Sequence, residues 1–316
     1  MGGLFRAAIF GVDLGGGSLK VAQLKGRRVT LATYIDIPHN IMSDEARLIG
    51  TLRDFLKGIG VSGRPAIVQF PGNLAFVRAV SFPPMPHAEL KEAVKWEVKR
   101  QLPYPTEEAV YDYVATAVTD GISVIFAGAQ RKNIQSYLLP FKEAGLNVIA
   151  IDISPLCLIR ALKPSSAGNT IMLDIGAVST EINILKAGIL RLTRTVDIGG
   201  NFIIQSLTTS AVGKEEAERL LREGDEELKE PLEEFLKETL RSMDYYQANF
   251  KEKTFSEVIL TGGVAINPAV GRFFSHALDI LVSVPDPFIG LQMADETIRS
   301  ISPRFSVAIG LARRTN

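Results

Sequence analysis

The sequence predicts a mixed α/β protein of two similar lobes, the first carrying a small inserted α/β subdomain. Three observations predict it. An aspartate–apolar–glycine turn between apolar strands occurs twice, as Asp13-Leu14-Gly15 in "VDLGGGSLKVAQL" and as Asp174-Ile175-Gly176 in "MLDIGAVSTEINILKAGILRLTRTV". The two stretches stay matched beyond the turn at one constant offset: Ser18 with Ser179, Val21 with Ile182, Leu24 with Leu185, Lys25 with Lys186, Leu31 with Leu192. An offset held through strand, loop and strand points to a duplicated unit, the alternative being two hairpins that merely look alike. Finally, 316 residues suffice for two cores, and "SFPPMP" (Ser81–Pro86) breaks regular structure at a subdomain boundary.

Taken in order, Ala8–Val12 reads as a strand entering the glycines, Leu19–Leu24 as its return, "KGRR" as a turn and Val29–Ile35 as a third strand. After the proline break a helix is expected from His87 to Leu102, with Leu90, Ala93, Val94, Val98 and Leu102 on one face. Trp96 falls off that stripe and is expected to pack on a neighbouring strand rather than meet a partner. "AVYDYVATAV" and "ISVIFAGAQ" form a hairpin across "TDG", and a helix over Asn133–Ala144 closes at Gly145. In the second lobe, "GKEEAERLLREG" and "PLEEFLKETLRSMDYYQANF" read as helices. The latter has Pro231 in its first turn, an apolar face of Leu232, Phe235, Leu236, Leu240 and Met243, and surface pairs such as Glu233–Lys237. "EVILTGG" returns to a strand and a third glycine turn.

Thirty-five basic residues balance thirty-five acidic ones, which removes any global electrostatic case for nucleic acid or an anionic membrane. The single Cys157 excludes a disulfide framework and reads as core filler, and the three histidines have no metal-ligand spacing. No 18-residue apolar stretch or signal-peptide layout is present, so the chain is expected to be cytoplasmic.

Neither phosphate signature of the strand-to-helix kind fits the first glycine run. Two strand-to-strand turns facing each other across a cleft can do the same work. Small residues let backbone N–H groups approach phosphate oxygens, and Asp13 and Asp174 can hold a hydrated Mg²⁺ through its water shell. Lys20 adds a positive charge at the phosphates, and Gly262-Gly263 lets a flat base lie against the backbone.

With these motifs the sequence resembles the actin-like ATPase superfamily, with its two ribonuclease-H-like lobes. "GVDLGGGSLK" fits the first phosphate loop, "LDIGAVSTEINIL" the second, "ILTGG" the adenosine loop and "FSVAIGLAR" the closing helix. Within it the chain resembles the PilM-like proteins of type IV pilus assembly, relatives of the cell-division protein FtsA. The stretches are "SFPPMPHAELKEAVKWEVKRQLPYPTEEAVYDY", "AGLNVIAIDISPLCLIRAL", "TRTVDIGGNFI" and "GKEEAERLL". The resemblance implies ATP or ADP with Mg²⁺ held by Asp13, Gly15, Gly16, Gly17, Ser18, Lys20, Asp174, Gly176, Ala177, Ser179, Thr180, Gly199, Gly200, Asn201, Glu218, Gly262 and Gly263. It also implies a division into a first lobe (1–80 and 149–170), an inserted subdomain (81–148) and a second lobe (171–205 and 257–298). The second lobe carries a helical part (206–256), and a closing helix (299–316) returns to the first lobe. The implied partner is the N-terminal tail of a PilN-like inner-membrane protein, docked between first lobe and inserted subdomain in a peptide-in-groove mode. The protein would thereby join membrane subunits to pilus motor ATPases in twitching motility, on the cytoplasmic side of the inner membrane, without nucleic acid.

Two departures from the pattern bear on activity. Ser154 stands where this branch often has a water-orienting glutamate before the proline of the first connecting helix, and no partner for it is evident in the sequence. Leu221 replaces a common lysine one turn beyond Glu218. Hydrolysis is therefore expected to be slow or absent, with binding less affected. A sugar kinase of the same superfamily is one alternative, but "QFPGN" (Gln69–Asn73), the candidate sugar contact, lacks an aspartate. An FtsA-like filament former is the other. "ARRTN" offers no amphipathic helix for it, so contact with the membrane is expected only through a partner.

Overall fold

The computed structural model describes residues 9–119, 121–250, 254–293 and 295–314. In chain order, β1 (Phe10–Leu14), β2 (Ser18–Lys25) and β3 (Arg28–Asp36) form an antiparallel meander. The short helix α1 (His39–Met42) and α2 (Glu45–Gly58) follow, then β4 (Pro65–Phe70). Asp44 caps α2 by accepting from the Arg47 N–H, and Leu48, Leu52 and Leu56, spaced four apart, form its buried stripe. Fully burying each such leucine stabilises the lobe by roughly 1.5–3 kcal/mol.

The inserted unit comprises β5 (Phe76–Phe82), α3 (His87–Gln101), β6 (Ala109–Val118) and β7 (Gly121–Gln130), its sheet in the order β5–β7–β6. Leu90, Val94 and Val98 of α3 pack on Val124 and Phe126 beneath. The chain returns through α4 (Arg131–Glu143) to β8 (Asn147–Ile153) and α5 (Ser154–Leu162). The first sheet has the order β3–β2–β1–β4–β8, the last two strands parallel to β1. Helix α4, read in sequence with the inserted strands, buries Phe141 in the first lobe's core beside Leu52 and Val68.

The second lobe repeats the plan. β9 (Asn169–Ile175), β10 (Thr180–Lys186) and β11 (Ile189–Val196) form its meander, followed by α6 (Gly200–Leu207), α7 (Lys214–Glu223) and α8 (Lys229–Phe250). β12 (Glu257–Thr261), α9 (Pro268–Leu278) and β13 (Leu281–Ser283) complete the sheet β11–β10–β9–β12–β13. The order and senses match those of the first lobe. Helix α10 (Ser306–Ala312) crosses back onto α5 and β1. A Cβ at Gly310 would lie 2.0 Å from the Cys157 carbonyl oxygen, so only glycine permits that crossing. Cys157 is fully buried, and burial pushes its thiol well up.

Three expectations need correction. Trp96 is 70% exposed, because position 96 lies on the helix flank turned away from the Val94–Val98 stripe. Leu240 is also exposed, and α8 seals its core instead with Tyr246, whose hydroxyl donates to Asn169 Oδ1 at 3.1 Å. Lys237 pairs with Glu234 at 2.6 Å, three residues back, rather than with Glu233.

Candidate nucleotide cleft

Each aspartate turn is closed by the same bond. Gly15 N–H donates to the Ser18 carbonyl and Gly176 N–H to the Ser179 carbonyl, both at 3.0 Å. One residue before each turn's end strand pairing sets Asp13 opposite Lys20, and Asp174 opposite Glu181. The turns meet tip to tip: a Cβ at Gly16 would fall 2.4 Å from Val178 Cγ2, and one at Gly17 3.1 Å from Ala177 Cβ.

Around the second turn the helix α6 is anchored by its own amides. Gly200 N–H donates to the Gly176 carbonyl at 2.9 Å and Asn201 N–H to the Ala177 carbonyl at 2.8 Å. Thr180 Oγ1 donates to the Ile198 carbonyl at 2.7 Å. The third glycine turn closes on the same carboxylate: Gly262 has φ +89°, and a Cβ there would lie 2.6 Å from Asp174 Oδ1 and 2.4 Å from the Ile175 carbonyl oxygen. Asn267 ties this turn to α7 by donating to the Leu221 and Gly224 carbonyls at 3.1 and 2.8 Å. Glu218 on α7 is partly exposed and faces Lys214 at 3.9 Å, while Leu221 packs into the second core beside Gly200. The fold thus gathers the two aspartate turns, Lys20, Gly199–Asn201 and Gly262 at one place, with Glu218 on the adjoining helix.

The electrostatics favour a cation there. Lys20 Nζ donates to Asp13 Oδ2 at 3.1 Å, both side chains being about nine-tenths buried. Asp174 faces the same pair. Burial first, and the Asp13 charge second, push its carboxyl up to about 6, with Lys20 pulling the other way. The single ammonium is bonded to Asp13, and Asp174 feels it only through space. This oxygen-donor set, short of positive charge, fits a hydrated Mg²⁺, while the N–H groups of Gly15, Gly176 and Gly200 are donated within the turns themselves.

Sequence reasoning overlooked Glu181. It occupies in the second lobe the place that Lys20 holds in the first, by the very offset that reveals the duplication. Burial pushes its carboxyl up to about 7, with Asp174 adding to the rise and Asn183 and Ser154 opposing it. Asn183 Nδ2 donates to Glu181 Oε1 at 2.9 Å. Ser154 Oγ is buried beside it without a hydrogen bond of ordinary geometry. The serine therefore has a carboxylate neighbour, contributed by the other lobe. Asp152, the nearer acid in sequence, is engaged elsewhere by Arg160 at 2.5 Å and Arg314 at 3.2 Å. Ser154 and Glu181 line a cavity of about 380 Å³ together with Gly72, Arg78, Thr195 and Asp197. "QFPGN" thus reaches across to the second lobe, a Cβ at Gly72 falling 3.1 Å from Glu181 Oε2. A second overlooked residue is Arg304, which stacks on Tyr34 at 4.5 Å and pairs with Asp36, joining the closing segment to β3.

Duplicated sheets of this order with facing turns define the actin-like ATPase fold. Among solved structures, a PilM–PilN type IV pilus biogenesis complex matches with TM-score 0.81 at 21% identity, over 96% of this chain and 97% of that one. The ethanolamine utilization protein EutJ from Carboxydothermus hydrogenoformans matches with TM-score 0.61 at 17% identity, over 98% and 90%. MreB5 of Spiroplasma citri bound to ADP gives TM-score 0.52 at 10% identity, over 96% and 95%. No curated protein sequence matches. The family described as type IV pilus assembly protein PilM matches residues 11–316, and the chain belongs to it.

Proposed function

We propose that this protein is an ATP-binding scaffold of type IV pilus assembly that docks the N-terminal tail of a PilN-like inner-membrane protein and holds its nucleotide with little turnover. The observation that carries the reading is the pair of matched turns closing on one carboxylate-rich point, with Gly262 brought against Asp174. Asp13 and Asp174 would hold Mg²⁺ through water, and Lys20 with the turn amides not spent on closing the turns, at 16–17 and 177–178, would hold the phosphates. The bound ion would offset the charge that now raises Asp174. Adenosine would lie along Gly262-Gly263, with Glu218 at the ribose. An ADP-bound structural relative supports the nucleotide.

Slow turnover follows from Ser154. A hydroxyl does not accept a proton near neutral pH unaided, and the carboxylate beside it, Glu181, already accepts from Asn183 Nδ2. The structural relative solved with PilN supports the tail partner. Among the described residues no helix is long and apolar enough to cross a membrane. In this reading the tail partner supplies the membrane location. The seven-segment division expected from the sequence belongs to the same proposal, as do the motor ATPases as further partners.

Vesicle co-sedimentation tests the scaffold reading. The protein is expected in the supernatant with bare anionic vesicles and in the pellet when the vesicles display a PilN-like tail peptide. Pelleting with bare vesicles, or none with the peptide, contradicts it.

A further inference from the structure

The inserted sheet leaves one edge open, and that edge carries its own pattern. β6 is outermost in the order β5–β7–β6 and, among the described residues, pairs with β7 alone. Its 10 residues run without a bulge from Ala109 opposite Gln130 to Val118 opposite Gly121. The strand contains no lysine, proline or glycine, and Asp112 is its single charge. Edges of this length are ordinarily blunted by such features, because a free row of N–H and C=O groups templates another strand. Here Val110, Tyr111 and Val114 remain 40%, 36% and 49% exposed.

We propose that β6 pairs antiparallel with β6 of a second copy of this chain, about a two-fold axis at Val114, joining the two inserted sheets into one. Pairing across a two-fold axis normal to the sheet keeps each residue on its own face, so opposed residues must be an even number of positions apart. With the axis at Val114, Val114 faces Val114 and Val110 faces Val118, while Asp112 faces Thr116. On the other face Tyr111 meets Ala117 and Tyr113 meets Ala115. Apolar side chains meet apolar ones, the carboxylate meets a hydroxyl, and each tyrosine lies over an alanine. Moving the axis to Tyr113 or Ala115 sets Asp112 against a valine, and moving it to Asp112 opposes like charges. The strand "VYDYVATAV" is therefore self-complementary in one register, a symmetry that an unrelated partner strand would not require.

The edge backbone fits the same register. Asp112 Oδ1 accepts from Tyr113 N–H at 2.8 Å, which marks that amide as aimed off the β7 ladder. Tyr113 and Ala115 then exchange ladder bonds across the axis, and Val114 becomes a close, non-hydrogen-bonded pair. Asp112 is released toward Thr116. This association uses none of the residues assigned to the nucleotide, so it stands independently of the nucleotide reading.

Sedimentation of the full chain across a concentration series, with single edge variants, tests the register. The parent is expected to dimerise reversibly. Val114→Lys, which sets two cations together at the axis, is expected to weaken the dimer roughly fivefold or more, whereas Thr116→Lys, which faces Asp112 twice, tightens it about threefold. Val114→Cys should form an intermolecular disulfide under mild oxidant and Thr116→Cys should not, since only the former lies at the axis. The buried Cys157 leaves that assay clean. A monomeric parent, lysine variants shifting in the same direction, or equal cross-linking by both cysteine variants overturns the proposal.

Discussion

Replacing Glu181 with glutamine changes one proton site and little else. The side chain is 8% exposed, and the amide oxygen can still accept from Asn183 Nδ2. In the unfolded chain this carboxyl titrates near its usual 4.5, and in the fold burial raises it to about 7. The native state therefore binds the proton more tightly, and stability falls as pH rises through that window. At 1.36 kcal/mol per pH unit, ionised Glu181 costs the fold of the nucleotide-free protein about 3 kcal/mol by pH 8. Glu181→Gln removes that cost. The variant should match the parent near pH 4 and exceed it by a margin growing to ~3 kcal/mol at pH 8. Asp174 contributes a slope of the same sign in both proteins and so cancels in the difference between them, of which about 1 kcal/mol accrues between pH 6 and 8. Urea unfolding of both proteins at pH 4, 6 and 8 measures it. A variant that is less stable at pH 8, or a difference that does not change with pH, refutes the assignment of a strained carboxylate beside Ser154.

The remaining predictions concern backbone and cleft. Gly262→Ala places a side chain at φ +89° and 2.4 Å from the Ile175 carbonyl, and should cost on the order of 2–3 kcal/mol in denaturant unfolding. Gly271→Ala, in open space on α9, is its control and should gain up to about 1 kcal/mol; equal effects at both sites would contradict the close approach. Asp13→Ala and Asp174→Ala should each lose Mg²⁺-dependent ATP retention in equilibrium dialysis, and retention as tight as the parent's in both would remove the metal assignment.

Much of this architecture was legible because its signals are local. The strand–turn–strand repeat around Asp13 and Asp174 shows in the sequence as a fixed offset, and the sheets carry it through in identical order. Leu90, Val94 and Val98 mark α3 by helical spacing, and Gly145, at φ +83°, ends α4 as its sequence position suggests. Contacts made across the cleft were harder to read. Nothing near Ser154 in the chain announces Glu181, which reaches it from the other lobe, although the offset from Lys20 was the available clue. Arg304 and Asp36 are far apart in sequence, and their pairing depends on the closing segment crossing to β3. Trp96 and Leu240 failed for a different reason: large apolar residues imply burial only where a neighbouring element covers them.

The claim that this cleft holds ATP more than it spends it is tested most directly by mass spectrometry of nucleotide bound to the purified protein over a timed incubation with Mg²⁺. The account predicts bound nucleotide that remains ATP while it stays on the protein. Absence of nucleotide after incubation with Mg-ATP, or its rapid appearance as ADP, would contradict it.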